Sequence, residues 1–341
     1  MTTPLTEAPK GTLRTAVAMV VLALVGLMAG PVANSHAATP KFSDGHGISV
    51  VGETKQITDR TSEIEVATDA VDSRVGNAGL KLRVTLPENY DPNTRYPSLY
   101  LLHGQGANYK QWTEMDLENI TAGSDMIIIT PEGGTAGWYT DWVNQDRYAM
   151  SIETFHIKQL IPFIDQNLPT KADKAHRGIA GLSMGGFGAM HYATRHPDLF
   201  NYAGSFSGGV DLENQAVRGA ILFTVAQRHQ AHPEAAFGPV VWPKDGNWKA
   251  HNPVRNAAAL KGLTVSLYAG GDVTDPLESN AGWSTHTLSG ALDRAGVEHV
   301  WDMYGQPGTL EGYPCTGRHT GGCWEGSLKR DLPRITAAIG A

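Results

Sequence analysis

Short apolar runs alternate along this chain with segments of helical period, and that alternation restricts the fold more than any single motif. Residues 98–102 and 126–130 are continuous apolar runs, the pattern of strands buried on both faces. Residues 80–86 alternate as a strand does, and 178–181, 203–207, 263–269 and 300–304 are strand-like too. Between them, residues 152–167 place Ile152, Phe155, Leu160, Phe163 and Ile164 near one helical face. Small residues continue as a helix over 185–195. Residues 284–294 form another helix, closed by Gly296, and 324–339 a terminal one interrupted near Pro333. Strands alternating with helices predict an α/β fold: a mostly parallel central sheet with helices on both faces. Residues 208–253, rich in His, Pro and Trp, read as an insertion over the sheet. Residues 38–79 are polar and poorly periodic, and read as an N-terminal extension whose 61–68 stretch supplies edge strands.

The first 37 residues read differently. Lys10 and Arg14 precede fifteen uncharged residues, Ala16 to Gly30, and Ser35-His36-Ala37 puts small residues around a cut after Ala37. That layout predicts a secretory signal peptide over 1–37, with an uncleaved anchor as the alternative. No other apolar run is long enough to meet a membrane, which excludes a polytopic membrane protein. A net charge of −7 excludes the basic footprint of a nucleic-acid binder. Export places Cys315 and Cys323 in an oxidising compartment, where two thiols eight positions apart pair as a disulfide. Two free buried cysteines are the alternative. A Cys-only metal site would need more ligands than these two.

Gly181-Leu182-Ser183-Met184-Gly185 matches G-x-S-x-G between an apolar strand and a small-residue helix. This is the context of a nucleophile elbow, whose glycines prevent collisions where strand turns into helix. Ser183 is the candidate nucleophile. The Met184 N–H lies at the helix start, where positive dipole and free donors meet developing negative charge. A second oxyanion donor comes from the turn after an earlier strand, and the Gln105 N–H fills that place. His103 is a rival base, but it stands upstream of Ser183, in the wrong chain order for this arrangement. His319, in a loop after the last strand and midway between the cysteines, is the candidate base. The acid should follow strand 263–269, where Asp272, Asp275 and Glu278 compete; Glu278 is preferred because it enters the following helix region. His229-Gln230-Ala231-His232 has no third ligand at a recognisable spacing, so no metal is expected.

From about residue 80 onward these residues resemble the secreted mycolyltransferases of antigen 85 type, within the wider putative-esterase group of α/β-hydrolases. The matching pieces include Leu101-Leu102-x-Gly104, Tyr139-x-Asp141-Trp142, Glu153-Thr154-Phe155, Gly181 to Gly185, His196-Pro197 and Asn252-Pro253. Gly317-Arg318-His319, followed by Trp324 and Leu328, matches the family's Gly-x-His tail. The resemblance implies an α/β-hydrolase domain over 80–341 and an acyl-enzyme on Ser183. It implies a mycolyl glycolipid as donor, trehalose or another envelope hydroxyl as acceptor, peripheral contact with the cell envelope, and no cofactor. The family often has Asp at the position of His103 and Arg at that of Gly106, side chains that help hold trehalose. His103 is therefore assigned a substrate contact. Trp138, Trp142, Trp242 and Trp248 are candidates for lining an acyl or sugar groove, and Trp142 is the one chosen. The family's acid falls near Ser289, which has no carboxylate, and this moves the acid to Glu278. A carboxylesterase with water as acceptor, and a non-catalytic binding protein on the same scaffold, are the competing expectations.

Overall fold

The computed structural model describes residues 39–75, 79–145 and 148–341. The signal peptide expected over 1–37 lies outside the described residues.

Two strands open the described chain, β1 (Ser49–Gln56) and β2 (Thr61–Ala67), and β3 (Lys81–Thr85) and β4 (Ser98–Leu102) follow. Two short helices, α1 (Gln111–Glu114) and α2 (Leu117–Ile120), lead to β5 (Ile127–Pro131). A π-helical stretch over Thr154–Leu160 runs into α3 (Ile161–Asn167). Then come β6 (Arg177–Leu182), α4 (Met184–Arg195), β7 (Tyr202–Phe206), α5 (Gln215–His229) and α6 (Gly246–Ala250). The chain closes with β8 (Thr264–Gly270), α7 (Pro276–Ala295), β9 (His299–Tyr304), the hairpin β10 (Gly308–Leu310) and β11 (Tyr313–Cys315), and α8 (Gly321–Ile339).

Among the described residues, nine strands form one sheet in the order β1-β2-β3-β5-β4-β6-β7-β8-β9. The first three strands and β5 pair antiparallel; from β5 across to β9 every pair is parallel. Apolar residues on both sides of each central strand explain this arrangement. In β4, Tyr100 and Leu102 enter one buried cluster, while Leu99 and Leu101 enter the other. In β5, Ile127 and Ile129 face one way and Ile128 the other. Helices α3, α4, α5 and α7 supply the first cluster; α1, α2 and α8 supply the second. This is the predicted α/β architecture with helices on both faces.

Several elements depart from the sequence expectation: α1, α2, α5, α6 and the β10–β11 hairpin were not expected, and three further differences have a direct reading in the structure. β1 was not expected; as the sheet's edge it is largely exposed, so it lacks the apolar alternation that betrays a half-buried strand. α7 begins at Pro276, not at residue 284, because Asp275 caps it and Pro276 occupies its first turn. α8 runs unbroken through Pro333. Residues 208–253 carry α5 and α6, and their Val217, Ile221, Val225, Phe237 and Trp248 join the cluster against the sheet.

Packing at the strand-to-helix turn is tight enough to predict an outcome. A Cβ added at Gly185 would stand 2.2 Å from the Leu102 carbonyl oxygen and 2.7 Å from that of His103. Both are backbone atoms of β4 and its turn, so no side-chain rotation relieves the clash. Gly185→Ala is expected to cost about 3 kcal/mol, read as a lower urea midpoint at unchanged m. Gly219→Ala is the control, since nothing lies within 4 Å of its added Cβ.

Candidate active site

β6 delivers Ser183 and α4 carries the chain away. Ser183 adopts φ 53° and ψ −119°, a region that costs a non-glycine residue energy and that surrounding packing must enforce. The enforcing contacts are backbone ones: a Cβ at Gly181 would meet the Gly185 carbonyl oxygen at 2.3 Å. The turn after β4 passes close by, since a Cβ at Gly104 would lie 3.5 Å from Ser183 Cβ. Neither the Met184 N–H nor the Gln105 N–H has a hydrogen-bond partner among the described residues.

The structure brings Ser183, His319 and Glu278 together. His319 Nε2 lies 2.9 Å from Ser183 Oγ, and His319 Nδ1 lies 2.7 Å from Glu278 Oε2. Glu278 is fully buried. Its Oε1 accepts from the Ser207 hydroxyl at 2.8 Å and from the Gly270 N–H. A carboxylate so supplied with donors accepts the Nδ1–H and leaves Nε2 with a lone pair toward Ser183. That is the geometry in which a hydroxyl can lose its proton as it attacks a carbonyl.

Asp272 and Asp275 are placed otherwise. Asp272 folds onto Thr274, whose hydroxyl and N–H lower its carboxyl below the usual range. Asp275 caps α7 by accepting from the Leu277 and Glu278 N–H groups, and it accepts the His319 N–H at 3.1 Å. Burial raises its carboxyl, but these N–H donors outweigh burial and the net shift is downward. So Asp275 anchors the loop that carries His319.

That loop is fixed from both ends. Cys315 ends β11, Cys323 sits in the first turn of α8, and the two form a disulfide around His319. Gly317 has φ +76°, and a Cβ there would meet the Gly305 carbonyl oxygen at 2.2 Å, so the backbone approach requires glycine. Trp324 packs edge-on against the His319 ring at 5.0 Å.

Ser183 opens into a cleft of about 100 Å³ with apolar walls from Trp138, Val217, Ala220, Leu277 and Ala281. Trp138 is the aromatic that reaches it, held by an N–H bond to Thr224 Oγ1 at 3.0 Å. Trp142 does not line it. Its N–H donates to the Gly137 carbonyl, and its ring borders a separate hollow of about 330 Å³ with Tyr148 and His232. Trp248 is fully buried, and Trp242 is exposed and away from the cleft. His103 is 1% exposed. Its Nδ1–H donates to the Gly104 carbonyl and its Nε2 accepts from the Gly133 N–H, both at 2.9 Å. It braces the turn beside the elbow and does not line the cleft, because the 133–139 segment packs over its ring. Ser207 went unnoticed in the sequence. It holds φ +53° at the end of β7, and a serine there has no composition or spacing signal.

Comparison with known proteins places the chain. A family model described as "Putative esterase" matches residues 73–335. An esterase of Mycobacterium tuberculosis is 32% identical over 280 residues, covering 75% of this chain and 57% of that protein. The chain thus spans little more than half the length of that relative. The diacylglycerol acyltransferase/mycolyltransferase Ag85A of Mycobacterium leprae is 27% identical over 263 residues, covering 72% of this chain and 76% of that protein. Among solved structures, Mycobacterium tuberculosis MPT51 superposes with a TM-score of 0.62 at 22% identity, covering 85% of this chain and 100% of that one. That likeness is to an α/β-hydrolase fold.

Proposed function

The chain belongs to the esterase family of α/β-hydrolases, and from that premise we propose that it is an exported acyltransferase working through an ester on Ser183. The observation that carries this reading is the unbroken line from Glu278 through His319 to Ser183, at 2.7 and 2.9 Å. In the first half-reaction the Ser183 oxygen attacks the ester carbonyl of a mycolyl glycolipid as His319 Nε2 takes its proton. The Met184 and Gln105 N–H groups receive the oxyanion. His319 returns the proton to the departing sugar oxygen, and a hydroxyl of trehalose or another envelope acceptor then takes the acyl chain by the reverse steps.

The size of the cleft bears on the donor. About 100 Å³ is room for only the few carbons next to the ester. The second reading, water as acceptor, is supported by the relative named as an esterase. Purified protein incubated with trehalose monomycolate and free trehalose separates the two. Dimycolate as the main product supports transfer; free mycolic acid alone overturns it in favour of hydrolysis. Export rests on residues 1–37, and secretion of the full chain with cleavage after Ala37, read by N-terminal sequencing, tests it.

Ser207 is a positioning residue in this scheme, because it acts on Glu278 and not on substrate. Ser207→Ala is expected to lower kcat about tenfold through loss of one hydrogen bond to a buried charge. KM should stay near wild type, while the lost hydrogen bond to the buried carboxylate costs about 1–3 kcal/mol of stability. A fall in melting temperature with kcat unchanged would instead mark Ser207 as purely structural.

A further inference from the structure

A second cluster of ionisable groups lies along the elbow helix, and the acyl-transfer scheme gives it no task. Glu153 precedes the π-helical stretch, His191 sits within α4, and His251 follows α6 as its C-cap. Each offers one ligand atom, and these atoms lie within 4.8 Å of one another. Glu153 is 6% exposed and His191 is fully buried. We propose that Glu153, His191 and His251 bind a divalent transition-metal ion of the zinc class, fastening the insertion to α4.

The donor set is one that zinc uses, two imidazoles and a carboxylate. The outer contacts suit ligation. His251 Nδ1 donates to the Asn247 carbonyl at 2.9 Å, which leaves Nε2 with its lone pair free to coordinate. Glu153 Oε1 is occupied by Arg195 Nε and His196 Nε2, both at 2.7 Å, so Oε2 is the oxygen available to an ion.

The contacts within the cluster are weak as hydrogen bonds. His191 Nε2 stands 3.3 Å from Glu153 Oε2, longer than the ~2.7–2.9 Å of a charge-assisted bond. Two ligands at ~2.0–2.1 Å from a tetrahedral zinc ion stand about 3.3–3.4 Å apart. The other nitrogen of this buried ring, Nδ1, has no hydrogen-bond partner among the described residues. Phe187 stacks on His191 and Phe237 packs against His251, which closes the cluster on its apolar side.

The test uses the full chain without a polyhistidine tag, stripped with chelator and titrated with zinc in a calorimeter. The expected result is about one zinc per chain and a melting temperature that rises with added zinc. His251→Gln should weaken binding at least tenfold, whereas His232→Gln, an exposed histidine outside the cluster, should bind as wild type does. Cobalt(II) keeps the proposal open to refutation if His251→Gln misfolds. Wild type should turn the weak spectrum of the aqua ion into the stronger visible bands of a four-coordinate nitrogen and oxygen site. No zinc-dependent heat, equal binding by wild type and a folded His251→Gln, or an unchanged cobalt spectrum would each overturn it. Ester turnover is not the readout, so failure here is distinct from failure of the acyl-transfer scheme.

Discussion

Ser183→Ala is expected to lower acyl transfer at least about 10⁴-fold and to abolish labelling by a fluorophosphonate. The hydroxyl at the elbow is the one the His319 Nε2 lone pair faces, at 2.9 Å. Ser207 borders the same cleft, but its hydroxyl is engaged with Glu278 Oε1 and cannot take over the attack. Alanine meets no new obstacle at this position, because serine already pays the cost of φ 53° there. The fold should therefore persist, with melting temperature near wild type, so lost activity reports chemistry. Some turnover above the uncatalysed rate should remain from the oxyanion donors and binding alone. Equal labelling of wild type and Ser183→Ala would remove Ser183 as the nucleophile.

Ser183 and His319 were legible in the sequence because their signals are local or ordinal. Glycines at 181 and 185 flank the elbow, and the base follows the last strand of the sheet, in the order the fold requires. Glu278 was the preferred of three carboxylates, on its place where the loop enters the following helix region. What separates it from Asp272 and Asp275 is the start of α7, which turns residue 278 inward while residue 275 caps the helix and 272 closes the preceding turn. The direction of His103 and Trp142 was not legible. Both are large residues near the ends of strands or turns, and their orientation depends on the 133–139 segment, which has glycines at 133, 134 and 137 and residues 138 and 139 at positive φ. That backbone path brings Trp138 to the cleft and keeps Trp142 out of it. The Glu153, His191 and His251 cluster was equally hidden, because its members are separated by dozens of residues and share no spacing.

Glu278→Gln is the second variant with a large expected effect, a fall in kcat of about 10²–10⁴-fold, and the geometry says why so similar a side chain should fail. Oε1 of Glu278 receives two donors, the Ser207 hydroxyl and the Gly270 N–H, so a glutamine must put its carbonyl oxygen there. Its NH2 group is then forced into the position of Oε2, against His319 Nδ1. An amide N–H facing Nδ1 requires that nitrogen to accept, which moves the ring proton to Nε2. The proton then points at Ser183 Oγ, and the imidazole can no longer take one from it. The defect lies in the tautomer and not in packing, so KM and melting temperature should change little while kcat falls. Asp272→Asn touches neither ring nitrogen and should keep activity within about threefold. Asp275→Ala removes a helix cap and the His319 N–H anchor, an expected loss of about 0.5–2 kcal/mol in stability with much less effect on turnover than Glu278→Gln. The measurement is kcat on one ester substrate for all three variants, alongside their melting temperatures. If Asp272→Asn loses activity and Glu278→Gln retains it, the acid has been assigned to the wrong carboxylate.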